Sequence, residues 1–161
     1  MKKMLPFPVL SGALAACWLA LAGISPSNFV LALVLALIIP RVTAPLLGTP
    51  PGIRSAGAAL RLAGLVAWDI VLANIAVARL VLGPIARLRP GFVRVPLAVT
   101  HPHAIALFAS IVSVVPGSVS MALTPDGRTL LVHVLDLEDA EQFIATIKER
   151  YERPLLEILE C

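Results

Sequence analysis

GAALRLAGLVAWDIVLANIAVARLVLG, running from Gly57 to Gly83, is the stretch whose reading decides how this chain is organised. It is apolar except for Arg61, Asp69, Asn74 and Arg79, with Arg54 just before it and Arg87 and Arg89 just after. A helix of about 27 residues rises about 40 Å, enough to cross the roughly 30 Å of hydrocarbon in a bilayer. If it crosses, the C-terminal third lies on one side of the membrane. If it lies along the surface, that third lies on the other.

Working outward, the chain has 161 residues, 58% hydrophobic and 14% charged, with a mean hydropathy of +0.92. Soluble domains carry about 25% charged residues, so the composition is that of a membrane protein. The net charge of +3 hides a segregation. Residues 1–100 hold nine Lys/Arg and one acid, Asp69, whereas residues 101–161 hold four Lys/Arg and nine acids. The basic half has no aromatic interleaving and no nucleic-acid motif, so its arginines read as topology determinants and lipid-headgroup contacts. Cys17 and Cys161 form neither a disulfide framework nor a C-x-x-C spacing.

Between Lys3 and Arg41 no residue is charged, and the apolar window breaks once, at Ser25-Pro26-Ser27-Asn28. That predicts two short transmembrane helices, near Leu5–Ile24 and Phe29–Leu46, joined by a tight turn. Pro40 is expected to kink the second helix or end it early. Leu14-Ala15-Ala16-Cys17 resembles a bacterial lipoprotein signal, but Trp18 to Gly23 continues the apolar run where a polar linker is expected. The Pro- and Gly-rich connector that follows reads as a loop outside the hydrocarbon.

Lys2 and Lys3 put the N-terminus in the cytoplasm, the uncharged turn outside, and Arg41 and Arg54 back inside. If Gly57–Gly83 then crossed, Arg87, Arg89 and Arg94 would be outside, against the same rule. Laying the segment in the interface removes the conflict, and Arg54, Arg61, Trp68, Asp69 and Arg79 share about a third of its helical circumference. A third transmembrane helix stays open as the alternative. Asp69, inside a membrane, suggests an ion path, but without a second acid or lysine at helical spacing it reads as part of the polar stripe or the partner of an arginine.

From Phe92 the character changes. Phe92–Val99 is rich in β-formers, and Ala104–Val112 has the length of a buried helix rather than a span. Ser118–Leu123 and Thr129–Leu135 flank Pro125-Asp126-Gly127, a hairpin signature. Asp136 is expected to cap a final helix with Phe143, Ile144, Ile147 and Tyr151 on one face, and Pro154 to bend or stop it. His101, His103 and His133 offer at most a weak metal set. Ser110, Ser113, Ser118 and Ser120 are expected to satisfy backbone groups, and no nucleophile, phosphate-loop or dinucleotide motif occurs. An enzyme is not expected, and no cofactor is assigned.

Four motifs in order resemble the E subunit of the Mrp-type (Mnh/Pha) multisubunit cation/proton antiporters: Ser25-Pro-Ser-Asn28-Phe29, Leu88-Arg-Pro-Gly91, Ser113-Val-Val-Pro-Gly117-Ser118, and Leu131-Val-His133-Val-Leu-Asp136. Val115-Pro116-Gly117 stands where that family often has Thr-Pro-Gly. The resemblance implies a bacterial plasma-membrane complex exchanging Na⁺, in some members K⁺, for protons. Large subunits carry its ion paths, and the E subunit is a small accessory. Residues 1–47 are then two transmembrane helices and 48–56 a Pro/Gly loop. Residues 57–89 are an amphipathic interfacial helix, or alternatively a third transmembrane helix. Residues 90–161 are a cytoplasmic α+β domain, β-α-β-β-α and ferredoxin-like. The expected partners are other antiporter subunits and the lipid bilayer, with no nucleic acid. The candidate functional residues are Asp69, Pro116 and Gly117, and the candidate headgroup contacts Arg41, Arg54, Arg61, Arg79, Arg87 and Arg89. The alternative function is a self-standing membrane-anchored regulatory or metal-sensing module using the three histidines.

Overall fold

A computed structural model describes residues 7–48, 51–83 and 88–159. The chain divides after Pro50 into two units.

The first unit is a helical hairpin, α1 (Pro8–Ala22) and α2 (Pro26–Leu47). Its turn is sealed by its own sequence. Ser25 Oγ accepts from Asn28 N–H at 3.2 Å, and Asn28 Nδ2 donates to the carbonyls of Ala22 and Gly23 at 2.8 and 2.9 Å. The orphan groups at the end of α1 and the start of α2 are thus met without water. The fully buried or nearly buried positions are small or compact, Ser11, Ala32, Ala36 and Pro40. Ala32, Ala36 and Pro40 recur every four residues, a spacing that lets two helix backbones approach closely.

Pro40 does not end α2. The helix continues through both Pro40 and Pro45 to Leu47. Between the prolines, Arg41 Nη1 donates to the Leu37 carbonyl at 2.7 Å and Thr43 Oγ1 to the Ile39 carbonyl at 2.8 Å. Such side-chain donors make proline tolerable inside an apolar helix. The 22 residues of α2 rise about 33 Å, a bilayer's worth.

The second unit begins with α3 (Ala56–Val81), capped by Ser55, whose Oγ accepts from Ala58 N–H at 3.1 Å. Like α2, α3 is long and apolar enough to cross a membrane. Then come β1 (Gly91–Pro96), α4 (Pro102–Val114), β2 (Ser118–Leu123), β3 (Thr129–Val134), α5 (Ala140–Ile147), a π turn (Lys148–Glu152) and α6 (Arg153–Ile158). The three strands are antiparallel in the order β1-β3-β2, with Val95 opposite Leu130 and Val93 opposite Val132. The order splits the β1-α4-β2 crossover with β3. The described residues contain no fourth strand beside β1, so the sheet is three-stranded.

Val93, Val95, Leu130, Val132 and Val134 alternate onto the covered face of the sheet, in one core with Phe108 and Val112 of α4, Ile147 of α5, Tyr151 of the π turn and Leu155 of α6. Period-2 valines on strands and period-3.6 apolar residues on helices make this core a consequence of local pattern. The hairpin turn closes with Gly127 N–H donating to the Thr124 carbonyl at 2.8 Å, and Gly127 takes φ +70°. Asp126 sits below the ordinary carboxylate range there, chiefly because Thr124 Oγ1 donates to it and then because Arg128 N–H does.

One local expectation is corrected. Asp139, not Asp136, caps α5, accepting from Glu141 and Gln142 N–H at 2.8 and 3.1 Å. Asp136 is engaged elsewhere, by Arg89 N–H at 3.2 Å. As expected, a short separate helix, α6, begins at Arg153-Pro154. The π turn before it, in which Arg153 N–H bonds the Lys148 carbonyl, changes the hydrogen-bond register, and Pro154 falls in the first turn of α6, where its missing N–H is not needed.

Candidate functional site: the seam along α3

One side of α3 is committed to the rest of its unit. Leu62 belongs to the buried core, and Ala58, Ala59, Leu65 and Val66 pack against it. These positions share a single helical stripe. Asp69 continues the stripe and is 8% exposed.

Asp69 is the sole acid of the first hundred residues, and it is fully engaged. Its Oδ2 accepts from Tyr151 Oη at 2.8 Å and from Arg150 Nε at 3.1 Å, while Arg150 Nη2 bonds its Oδ1. The guanidinium grips the carboxylate with two nitrogens, the geometry that gives an arginine–carboxylate pair its strength and direction. Of the two sequence readings, ion path or arginine partner, the geometry supports the partner.

Arg150 and Tyr151 come from the π turn, which serves three neighbours at once. Glu152, 2% exposed, turns away from α3, and its Oε1 accepts from Ala98 and Val99 N–H at 2.6 and 3.2 Å. Lys148 Nζ lies 2.8 Å from Glu152 Oε2 and donates to the Pro96 carbonyl at 2.5 Å. The turn therefore pins α3 and the β1–α4 connector to the last helix. The sequence reading placed Tyr151 on an apolar face and did not single out Arg150 or Glu152. The signal available was Pro154, seven residues after Ile147 in a run otherwise suited to helix, which requires the hydrogen-bond ladder to change.

Burial pushes the Tyr151 phenol up to about 12, and its bond to the Asp69 carboxylate adds to this. The Asp69 carboxylate also raises Arg150 further above its ordinary value. Since a free phenol ionises near 10, the neutral phenol is favoured in the fold. Its contribution is complete below about pH 10 and is lost as pH rises through about 12. Tyr151 is the chain's one tyrosine, so ultraviolet titration reads it directly. Phenolate absorbance is expected to rise near pH 12 in the native chain and closer to pH 10 in Asp69→Asn. A native midpoint near 10 would show that the seam does not form.

Gly117 meets the same helix two turns further on. It has φ +98°, a conformation side chains rarely adopt, and a Cβ there would lie 3.5 Å from Val77 Cγ2. Pro116 precedes it in the turn between α4 and β2. Asp69 and Gly117 are thus brought together as two points along one seam. The serines around this turn bond to backbone: Ser118 Oγ to the Val112 carbonyl at 2.8 Å, Ser120 Oγ to Ala109 at 2.9 Å, and Ser113 Oγ accepting from Ser120 N–H at 3.0 Å.

The remaining candidates are dispersed. Arg61 and Arg79 are exposed on α3, and Arg54 is exposed just before it, its N–H donating to the Ile158 carbonyl at 2.8 Å. Arg89 accepts from Leu137 N–H through its carbonyl at 2.8 Å beside the sheet. Arg87 lies outside the described residues. His101 Nδ1 caps α4 by accepting from His103 N–H at 3.2 Å, whereas His133 lies on β3 with its ring 5.1 Å from that of Phe92. The three histidines do not converge, and the described residues contain no group of three metal-ligating side chains. An open apolar groove of about 910 Å³ runs between α4 and the β2–β3 hairpin, lined by Leu97, Ile105, Ala109, Met121 and Leu130. Asp126, at its edge, is held in the turn.

The chain resembles known membrane-complex subunits. The E subunit of a probable K⁺/H⁺ antiporter from Rhizobium meliloti is 34% identical over 99% of this chain and 100% of its own length. The E subunit of the Na⁺/H⁺ antiporter of Alkalihalophilus pseudofirmus is 34% identical, but the match covers 63% of this chain and 64% of that one. A chain of the membrane-bound sulfane sulfur reductase, an archaeal respiratory membrane complex, superposes with a TM-score of 0.65 over 94% of this chain and 97% of that one at 20% identity, a likeness of fold. The MNHE family model, described as Na⁺/H⁺ ion antiporter subunit, matches residues 11–158, and the chain belongs to that family.

Proposed function

We propose that this chain is a non-catalytic accessory subunit of a multisubunit Na⁺/H⁺ or K⁺/H⁺ antiporter in the bacterial plasma membrane. The end-to-end match to the E subunit of a probable K⁺/H⁺ antiporter carries the reading. The hairpin supports it. A protomer that conducts ions places ionisable groups inside its helices, whereas the charge of α1 and α2 is the single Arg41, exposed near the end of α2. Much of the hairpin's apolar surface is exposed, including Phe29, Leu33 and Ile38, and suits lipid or the helices of neighbouring subunits. In this reading α1 and α2 cross twice, the N-terminus is cytoplasmic, and the ferredoxin-like domain supports the cytoplasmic side of the complex.

Solubilising the bacterial membrane in mild detergent and purifying the tagged chain tests this. Large polytopic subunits are expected to accompany it in fixed ratio, and deletion of the chain is expected to lower cation resistance. A tagged chain that elutes alone from membranes containing those subunits overturns the proposal.

A further inference from the structure

The outward side of α3 is neither covered nor polar. Leu60 is 75% exposed, Trp68 60% and Val71 51%. At about 100° per residue Val71 lies opposite the buried Leu62, with Leu60 and Ile75 within about 40° of it. Arg61, Trp68 and Arg79 fall on one flank of that apolar strip, about 100–120° round from Leu62, and Arg54 is exposed just before the helix begins. The exposed side of the helix carries no acid, because Asp69 points into the seam and is neutralised there by Arg150. An apolar strip with an arginine-and-tryptophan flank has the composition of a helix seated in a headgroup layer.

One further observation bears on lying against crossing. Asp69 is 13 residues from Ala56 and 12 from Val81, the middle of α3. If α3 crossed a bilayer, Asp69 would sit at its centre, with Arg150, Tyr151 and the last helix packed beside it in hydrocarbon.

We propose that the outward side of α3 is a binding surface for anionic phospholipid. Leu60, Val71 and Ile75 enter the upper acyl region, Trp68 marks the boundary, and Arg54, Arg61 and Arg79 meet headgroup phosphates. The folded domain rides on the opposite side of the helix, locked by Asp69. This inference is independent of which complex the chain joins. It makes the membrane's own lipid a partner that sets the height and tilt of the domain.

Trp68 is the probe. The chain has two tryptophans, and Trp18, whose indole N–H has no hydrogen-bond partner, can be replaced. The full chain with Trp18→Phe is placed in nanodiscs of phosphatidylcholine and phosphatidylglycerol, with nitroxide either at headgroup level or near the acyl-chain ends. Headgroup-level nitroxide is expected to quench Trp68 several-fold more strongly than the deep label. One basic residue near an anionic surface contributes about 1 kcal/mol, or about fivefold. Labelled phosphatidylglycerol is therefore expected to quench at least about fivefold more effectively than labelled phosphatidylcholine at equal mole fraction. That preference should vanish in Arg54→Gln/Arg61→Gln/Arg79→Gln and persist in the triple lysine variant. Tyr151 ionisation near pH 12 checks that the seam is intact in each. Stronger quenching by the deep label, as a third span requires, overturns the proposal. So does absence of lipid quenching, as an apolar protein partner on this face requires, or a glutamine variant with an intact seam that keeps the phosphatidylglycerol preference. Loss of co-purifying subunits with these lipid results unchanged would fail the antiporter reading alone.

Discussion

Glu152→Ala is expected to destabilise the α3-and-sheet unit by about 3 kcal/mol, the largest effect of any single polar substitution considered. Glu152 holds two backbone N–H groups of the β1–α4 connector and the Lys148 ammonium. Val99 is almost completely buried, so water cannot replace the lost acceptor, and a buried orphan donor costs about 1–3 kcal/mol. Ala98 is exposed and Lys148 partly so, which lets solvent recover most of their share. Glu152→Gln keeps an acceptor oxygen and is expected to cost about 1 kcal/mol. Hydrogen exchange on the full chain in detergent checks the order. The Val99 amide should lose roughly a hundredfold of protection in the alanine variant, and about tenfold or less in the glutamine variant. Unchanged exchange at Val99 in Glu152→Ala would falsify this account of the connector.

Asp69→Ala follows, at about 2–3 kcal/mol. Removing one partner of a buried pair costs about 3–5 kcal/mol, because the other charge is left uncompensated. Here the Arg150 side chain is 42% exposed, and solvent moderates the penalty. Tyr151 also loses the acceptor for its hydroxyl. The consequence is local: α3 loosens from the last helix while the sheet core, which does not depend on Asp69, persists. Amide exchange in α3 and α6 should rise together while β3 stays protected. Asp69→Leu with Arg150→Met should restore most of the loss, since apolar replacement of both partners is often neutral. If Asp69→Ala leaves α3 as protected as before, then Leu62, Leu65 and Val66 hold the seam without the ion pair. For the antiporter reading, the same variant should reduce co-purification with other subunits more than it reduces the amount of chain in the membrane.

The two substitutions differ in how visible their sites were beforehand. Asp69 stood out because it is an acid alone among arginines and apolar residues, and the expectation that it pairs with an arginine was available. Which arginine was not. Arg150 is 81 residues away, beyond the reach of any periodicity. Glu152 was hidden among the charges of an apparently ordinary amphipathic helix. Asp136 shows the same limit at shorter range: it and Asp139 are both plausible caps, and the choice fell to Asp139 because Arg89 N–H, 47 residues back, occupies Asp136.

Sequence alone determined what depends on neighbours a few residues apart. The Ser25–Asn28 turn, the Pro125–Gly127 hairpin, the alternating valines of β1 and β3 and the apolar stripe of α4 follow from hydrogen-bond geometry and from periods of 2 and 3.6. Tertiary structure decided the β1-β3-β2 order, the π turn and which side of the Gly57–Gly83 helix is committed to the folded domain. That stretch has the length and hydropathy of a span, and locally only its arginine stripe and flanking charges argue for lying flat. What bears on it is Asp69, buried at mid-helix against Arg150 and Tyr151, because a carboxylate gripped by a folded domain can be carried along a membrane surface far more cheaply than through hydrocarbon.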